Sequence, residues 1–471
     1  MNRLSRASWP GAGPPRPVRA VHLGLGAFHR SHQAWYTEHA TDPQPWGIAA
    51  FTGRSPGAAA LLREQEGLYA LVERGAERDR IEVVASISAA HDGDDAPAWA
   101  GCFASPQIGV VTLTVTEAGY HLDASGHLDR DHPDVAADIA RLRAAGAGAE
   151  PAARTMPGRL AAGLLARRRA GAGPLAVVPC DNLVGNGAAT RTVTLEMCEA
   201  VDRALAAWVA VTASFASTVV DRITPATAPD DLTLVDRAIG LQDRAAVVTE
   251  PFSEWVLAGD FPAGRPDWVS AGARLVADVR PFAERKLCLL NGGHSLLAYA
   301  GSALGHATVA EAVSDPRCRA WLEGWWDGVA PILGLPSGEV AAYRASLLTR
   351  WSNPRISHAL SLVARDGSLK LVQRVLPVVH RYRAAGEPPP PSAGRVLGSW
   401  LVHLRGHGAE ISDPRAPELV PLAAGEPSRA AGAVLEALEP GLGEDGALVR
   451  EVAAACREIE GMAGSRPAAR S

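Results

Sequence analysis

Over the first 280 positions the apolar residues come in short runs, and polar residues collect where the runs stop. Val18 to Leu25 (VRAVHLGL), Gly47 to Phe51 (GIAAF), Ile81 to Ile87 (IEVVASI), Ile108 to Thr116 (IGVVTLTVT), Leu175 to Val178 and Phe215 to Val220 read as strands. Arg30 to Ala40, Leu160 to Arg169 and Thr192 to Trp208 carry helical spacing. Strands that alternate with helices predict an α/β unit, a Rossmann-like doubly wound sheet over residues 1–278. From Pro281 onward the strand signals fade, so a second, mostly α-helical unit is expected over residues 279–471. Within it the run EPPPPS (387–392) reads as an extended loop between helices, and residues 426–461 as terminal helices. The Pro/Gly-rich residues 1–17 and residues 463–471 read as mobile tails, and no internal repeat is visible.

Two places in this pattern carry candidate chemistry. The first strand runs into Gly24-Leu25-Gly26-Ala27-Phe28-His29-Arg30. Two glycines after a strand and before a helix suit the tight turn and close backbone approach of a dinucleotide site, with the helix N–H groups turned to a pyrophosphate. His29 stands where a third glycine is usual, and the plain alternative is an ordinary strand-to-helix turn.

The second place is KLCLLNGGHS, residues 286–295. On an α-helical wheel of about 100° per residue, Lys286, Asn291 and His294 fall near 0°, about 140° and about 80°. An ammonium, an amide and an imidazole on one arc can accept a proton, clamp an oxygen and donate a second hydrogen bond, which suits alcohol oxidation or carbonyl reduction. The alternative is a polar face turned to solvent. The surrounding leucines (287, 289, 290, 296 and 297) point instead to a largely buried helix, where lysine is rare without a partner or a task.

Composition narrows the class without naming a reaction. The 471 residues exceed one compact core, so two domains are expected. A formal net charge of −5 leaves no basic footprint for nucleic acid. Lys286 and Lys370 are the only lysines, which makes both conspicuous. The six cysteines form no C-x-x-C pair, so neither a zinc knuckle nor a disulfide framework is indicated. With no 18-residue apolar run and no signal-like h-region, no membrane segment is expected and the compartment is the cytoplasm. His22, His29, His32 and His39 have no carboxylate or cysteine at ligand spacing, so no metal site is expected.

Eight segments, in order over about 350 residues, carry a resemblance to a known family. They are GLGAFHRSHQ (24–33), TLTVTEAGY (112–120), PCDNLVGNG (179–187), VDRITP (220–225), EPFSEWV (250–256), RPDW (265–268), KLCLLNGGHS (286–295) and DGSLK (366–370). With them the chain resembles the mannitol dehydrogenase family, the long-chain polyol dehydrogenases and hexuronate reductases. The resemblance implies an N-terminal nicotinamide-binding domain, a mostly helical C-terminal domain and no metal. It implies that Lys286 is the general base, which requires a pKa well below the solution value of ~10.4. Asn182 and Asn291 match two amides that hold the substrate oxygen, an oxyanion hole without a metal. His294 matches a substrate-orienting histidine, Asp221 a carboxylate near the base, and Lys370 a lysine of the substrate site. Gly24, Gly26, Ala27, Phe28, His29, Arg54 and Thr116 are the expected cofactor residues. Taken alone, Asn182 reads as a turn residue after a strand, and Asp221 as an ion-pair partner of Arg222 or a helix cap.

Two positions depart from that pattern. The family often has Glu three residues before the lysine, where this chain has Ala283 with Glu284 beside it. It often has a polar residue eight positions before the DGS-x-Lys lysine, where this chain has Leu362. Mannitol is therefore not assumed as substrate.

The expected function is an oxidoreductase that interconverts a secondary alcohol and a ketone on an open-chain polyol or sugar acid. Mannitol/fructose, arabinitol/xylulose and mannonate/fructuronate are the candidate pairs. A catalytically silent sugar or nucleotide sensor is the rival of another class. NAD is the expected cofactor, with NADP as the alternative. The region after the second strand, Phe51-Thr52-Gly53-Arg54-Ser55, lacks the usual ribose-gripping carboxylate, and Arg54 beside Ser55 also suits a 2′-phosphate. Nothing in the pattern sets an oligomeric state.

Overall fold

The computed structural model describes residues 1–53, 55–145 and 152–463. The chain divides into two compact units, Met1–Arg280 and Pro281–Ser471. The strands of the first unit are β1 (Val18–Leu23), β2 (Gly47–Phe51), β3 (Tyr69–Arg74), β4 (Asp79–Val84), β5 (Ile87–His91) and β6 (Val110–Leu113). They continue as β7 (Leu175–Pro179), β8 (Ala213–Phe215), β9 (Ser217–Asp221), β10 (Val247–Thr249), β11 (Glu254–Ala258) and β12 (Arg274–Leu275).

Six of these form a wholly parallel sheet in the order β5-β2-β1-β6-β7-β8. Counted among the sheet's own strands this is the 3-2-1-4-5-6 order of the Rossmann fold, whose order reverses between β1 and β6. Alternate side chains enter separate cores on the two faces. Ala20, Ile48, Ala50, Ala176 and Val178 pack on one face. Val21, Leu23, Ala49, Phe51, Leu175 and Val177 pack on the other. Burial on both faces explains why these strands are continuous apolar runs in the sequence. Two small sheets flank it, β10-β3-β4 and β12-β11-β9.

Several sequence expectations need correction here. IEVVASI is not one strand. Its first part belongs to β4, paired antiparallel with β3, and Ile87 opens β5, paired with β2. Ser86 marks the change, with its hydroxyl donating to Ala34 O at 2.7 Å and its carbonyl accepting from Ile48 N at 2.9 Å. The run 215–220 likewise serves two sheets, as the end of β8 and most of β9. The helix read over 192–208 is two, Asn186–Val201 and Arg203–Thr212. Asp202 breaks it at φ −157° and caps the second helix by accepting from Ala204 N at 2.8 Å. The N-terminal segment is anchored rather than loose: Leu4 is fully buried beside Leu68 and Ala85, and its N–H donates to Gln242 O at 2.9 Å.

The second unit is built of helices around a tryptophan-rich core with Trp325, Trp326 and Trp400. Pro391 opens the helix Pro391–Leu404, with residues 387–390 extended before it. Pro427–Leu438 and Gly446–Ala463 are the terminal helices. Residues 464–471 of the expected C-terminal tail lie outside the described residues. No helix among the described residues is long and apolar enough to cross a membrane.

Candidate active-site residues

In the first unit the turn after β1 is shaped from below. Gly24 sits at φ +108°, and a Cβ there would stand 2.0 Å from Thr114 O, so only glycine fits. Gly26 is extended (φ −141°), and a Cβ would meet nothing closer than Gly24 O at 3.5 Å. The fold therefore requires the first glycine, while at the second a Cβ would make only an ordinary contact, so its glycine is not demanded by the chain itself.

A buried relay that sequence reading missed fixes this turn. Thr114 Oγ1 donates to Gly24 O at 2.8 Å, so toward His22 it can only accept. His22 Nε2, 3.1 Å from Thr114 Oγ1, therefore carries the ring proton, and Nδ1 accepts from Thr112 Oγ1 at 2.8 Å. Burial drives the His22 pKa down to about 3, so the ring is neutral. His29 stacks on it with ring centroids 3.4 Å apart. Burial first, and then His22, hold His29 well below its ordinary range. The expected place of His29 in the cofactor loop is thus a place in the core beneath it, and Phe28 turns its ring onto His32 at 5.0 Å. Polar residues interrupting the apolar runs, His22 in β1, Thr112 in β6 and Thr114 just after it, were the available signal.

Above the turn lies a cavity of 760 Å³ lined by Gly24, Gly53, Ser55, Asp94 and Thr116, among others. Gly24 and Thr116 are thus brought together, while Gly26, Ala27, Phe28 and His29 are not part of its lining. Arg54 lies outside the described residues, although its neighbours Gly53 and Ser55 line the cavity. Asn182, exposed, follows the buried Asp181 at the C-terminal end of β7. Asp181 ties this end to the cavity wall, accepting from Val115 N at 2.6 Å and from Tyr120 Oη at 2.7 Å. Burial raises its pKa to about 7 against those two donors. Asp221 is buried at the end of β9, opposite Glu254 of β11. Arg222 makes its ion pair with Glu73 at 2.7 Å.

In the second unit the helix Arg280–Arg285 runs without a break into a π-helical turn, Lys286–Gly292, then an α-turn, Gly293–Leu296, and a second π-turn, Leu297–Gly301. The α-helical wheel read from the sequence is therefore too tight. With i→i+5 bonding, residues five apart lie nearly one turn from each other, which draws Lys286 and Asn291 toward one line along the axis. At Gly293 the bonding tightens, its N–H reaching Leu289 O and Leu290 O rather than the Cys288 carbonyl. Trp325 Nε1 donates to that carbonyl at 2.8 Å, and Trp326 Nε1 to Leu289 O at 3.0 Å. The Gly-Gly pair lets the tryptophans in: a Cβ on Gly292 would stand 2.8 Å from the Trp325 ring, and one on Gly293 2.9 Å from the Trp351 ring.

His294 is buried against Trp351 (4.6 Å) and edge-on to His358 (4.8 Å). Burial, and then His358 and the arginines 374 and 350, hold it well below its ordinary range, so it is neutral and can present Nε2 as donor or acceptor. Lys370 is half-buried on the helix Gly367–Arg374 and donates to Val363 O at 3.3 Å. Burial, then Arg374, lower its pKa. One turn on, Arg374 donates to Ser295 Oγ at 3.1 Å and, at 3.4 Å, to Asn291 O, tying the two helices at the level of Asn291. Sequence reading passed over Arg374, although its place four residues after Lys370 puts both on one helix face.

Family models match both units. The mannitol dehydrogenase Rossmann domain covers residues 18–270, and the mannitol dehydrogenase C-terminal domain residues 278–460. The chain belongs to the mannitol dehydrogenase family. It is 37% identical over 416 residues to the D-mannonate oxidoreductase of Escherichia coli (strain K12), covering 85% of this chain and 84% of that protein. It is 36% identical to the D-arabinitol 4-dehydrogenase of Ralstonia nicotianae over 78% of this chain and 79% of that one. The solved Pseudomonas fluorescens mannitol 2-dehydrogenase, a ternary complex with NAD and D-mannitol, matches with a TM-score of 0.78 and 31% identity, over 98% of this chain and 97% of that one. A substrate-free D-sorbitol dehydrogenase matches with a TM-score of 0.85 and 27% identity, over 97% and 96% of the two chains.

Of the two departures from the family pattern, Ala283 is half-buried, with Glu284 beside it paired to Arg381, and Leu362 is exposed. The histidines weighed as metal ligands are otherwise engaged, His32 with Glu254 O at 3.0 Å and His39 with Trp35 O at 2.9 Å. His306, Asp315 and Cys318 bring ligand atoms within 4.8 Å of one another, but Arg317 holds both Asp315 oxygens, at 3.1 and 2.7 Å.

Proposed function

We propose that this protein is an NAD-dependent dehydrogenase that interconverts a secondary alcohol and a ketone on an open-chain polyol or sugar acid, of the mannitol/fructose, arabinitol/xylulose or mannonate/fructuronate type. The observation that carries the reading is the relationship to mannonate, arabinitol and mannitol dehydrogenases over most of the chain. The cleft above Gly24 fits a dinucleotide: the turn admits no side chain below, and the cavity above has room for a nucleotide and a backbone open to a pyrophosphate. NAD supplies the hydride acceptor.

The chain's residues handle the proton and the oxygen. Lys286 takes the hydroxyl proton of the alcohol in oxidation and returns it in reduction. Asn182 and Asn291 donate amide N–H groups to the substrate oxygen and bind it more strongly as it gains charge. His294, neutral in its tryptophan-walled site, orients the substrate hydroxyl. Lys370 and Asp221 contact the substrate's remaining polar groups. Charge on the oxygen is met by amides and the lysine, so no metal is needed. The dehydrogenase relatives weigh against the silent-sensor alternative.

A two-direction screen tests the reading: polyols and aldonates with NAD, ketoses and ketouronates with NADH, followed at the NADH absorbance band. Turnover of at least one pair that persists with chelator is expected. Turnover of none, or activity lost to chelator, refutes it.

A further inference from the structure

The sequence after β2 offers no carboxylate for the adenosine ribose, yet the tertiary structure brings one there from another strand. β5 lies beside β2 at the edge of the parallel sheet, and the loop that leaves β5 folds over the end of β2. The docking is tight. Thr52 N donates to His91 O at 3.1 Å, and Gly93 N donates to Thr52 Oγ1 at 2.8 Å. A Cβ on Gly93 would stand 2.4 Å from Thr52 O and 2.7 Å from Gly53 O, so only glycine lets the loop lie this close to the end of β2. Asp94, the next residue, lines the same cavity as Gly24, Gly53 and Ser55.

The arginine beneath this loop is committed to holding it. Arg159, 7% exposed, donates to Ala153 O (3.2 Å), Thr52 O (3.1 Å) and Gly53 O (3.3 Å). Its one contact with Asp94 is a 3.5 Å ion pair to Oδ1, and the Asp94 side chain is 82% exposed. The carboxylate is thus placed by a loop hydrogen-bonded to the end of β2 and, among the described residues, pairs with Arg159 at 3.5 Å, with acceptor capacity left for a ligand's hydroxyls. The end of the second sheet strand is where a Rossmann fold meets the adenosine ribose, and a carboxylate there accepts from the 2′-OH and repels a 2′-phosphate.

We propose that Asp94 determines cofactor choice, reading the adenosine ribose 2′-hydroxyl in place of the absent β2 carboxylate and selecting NAD(H) over NADP(H). The inference rests on the proposed nicotinamide-dependent function. It gives that function a selector from β5 rather than from the Arg54-Ser55 pair.

The test is titration of purified protein with NADH and with NADPH, followed by nucleotide fluorescence, for the wild type, Asp94→Ala and Asp94→Asn. The wild type should bind NADH at least tenfold more tightly than NADPH. Asp94→Ala should narrow that ratio at least fivefold, by weaker NADH and tighter NADPH binding. Asp94→Asn, which keeps an acceptor and loses the charge, should narrow it mainly through NADPH. Asp94 is exposed, so circular dichroism and Tm should match the wild type. NADH binding and turnover by the wild type with an Asp94→Ala ratio changed less than fivefold would sink the selector and leave the enzyme reading standing. A wild-type preference for NADPH would also overturn it. Binding of neither nucleotide by the wild type would overturn both.

Discussion

The turn at residues 24–26 and the helix at residues 286–294 both depend on glycine, for different reasons. Gly24 is at φ +108° with Thr114 O where a Cβ would go, so conformation and space both require it. Gly292 and Gly293 have ordinary helical angles, near φ −64° and −61°, and are required by the side chains packed against them, Trp325 at the first and Leu322 with Trp351 at the second. In the first region the backbone is presented and the side chains below it are buried props. In the second the backbone is widened and propped by Trp325 and Trp326 so that side chains are presented. On the proposed function one region holds the cofactor and the other does the chemistry, and variants should separate the two.

Lys286→Ala should break the pairing most sharply. Loss of a general base costs ~10²–10⁴ in rate. The variant should lose turnover by that factor with an NADH Kd close to the wild type, measured by steady-state kinetics and nucleotide fluorescence. A kcat above a tenth of the wild-type value would remove Lys286 from its role.

Asn182→Ala and Asn291→Ala sharpen the comparison, since one residue comes from each unit. Loss of one oxyanion donor costs about 10²–10³ in kcat. Each variant should lower kcat more than it raises KM. A pure KM effect in both would mean that they position substrate without stabilising the transition state.

The glycines come next. Gly24→Ala combines left-handed strain of about 1–3 kcal/mol with a backbone clash, so NADH affinity should fall by at least about tenfold. Gly292→Ala overpacks the Trp325 contact at a cost of about 1–3 kcal/mol, read as a lower unfolding midpoint in denaturant, with NADH affinity retained. If Gly292→Ala weakened NADH binding as much as Gly24→Ala, the division of labour between the two regions would fail.

A pH dependence completes the set. Asp181 has a folded pKa raised by burial to about 7, above its ordinary value of 3.8. Between these values the unfolded chain has released the proton and the folded chain keeps it. Asp181 therefore costs stability as pH rises from about 4 to 7, by about 1.4 kcal/mol per unit of pKa difference, and the loss levels off above pH 7. Asp181→Asn, which keeps an acceptor for Val115 N–H, should gain stability relative to the wild type between pH 5 and pH 8. Denaturant unfolding at the two pH values reads this difference. A gap that stays constant would mean that Asp181 remains ionised across the range.

The sequence by itself determined the parallel Rossmann sheet, because strands buried on both faces must be apolar throughout, and β2 was readable to the residue. It also determined the helical second unit and the family, whose motifs are local in the chain. Tertiary structure decided what local pattern leaves ambiguous. The apolar runs at 81–87 and 215–220 each serve two sheets, and no periodicity marks the division. At the π-turn from Lys286, two tryptophans nearly 40 residues away donate to carbonyls of the turn, at Cys288 and Leu289, contacts that a wheel drawn from residues 286–294 alone does not contain. His29 looked like a loop residue and proved to be a core residue, because its stacking partner His22 lies in the strand before it. Asp94 was invisible as a cofactor residue because β5 is adjacent to β2 only in the sheet. Sequence marks which stretches are apolar or helical; where one element ends, which elements share an edge, and so which side chains meet, follow from packing between parts of the chain far apart in order.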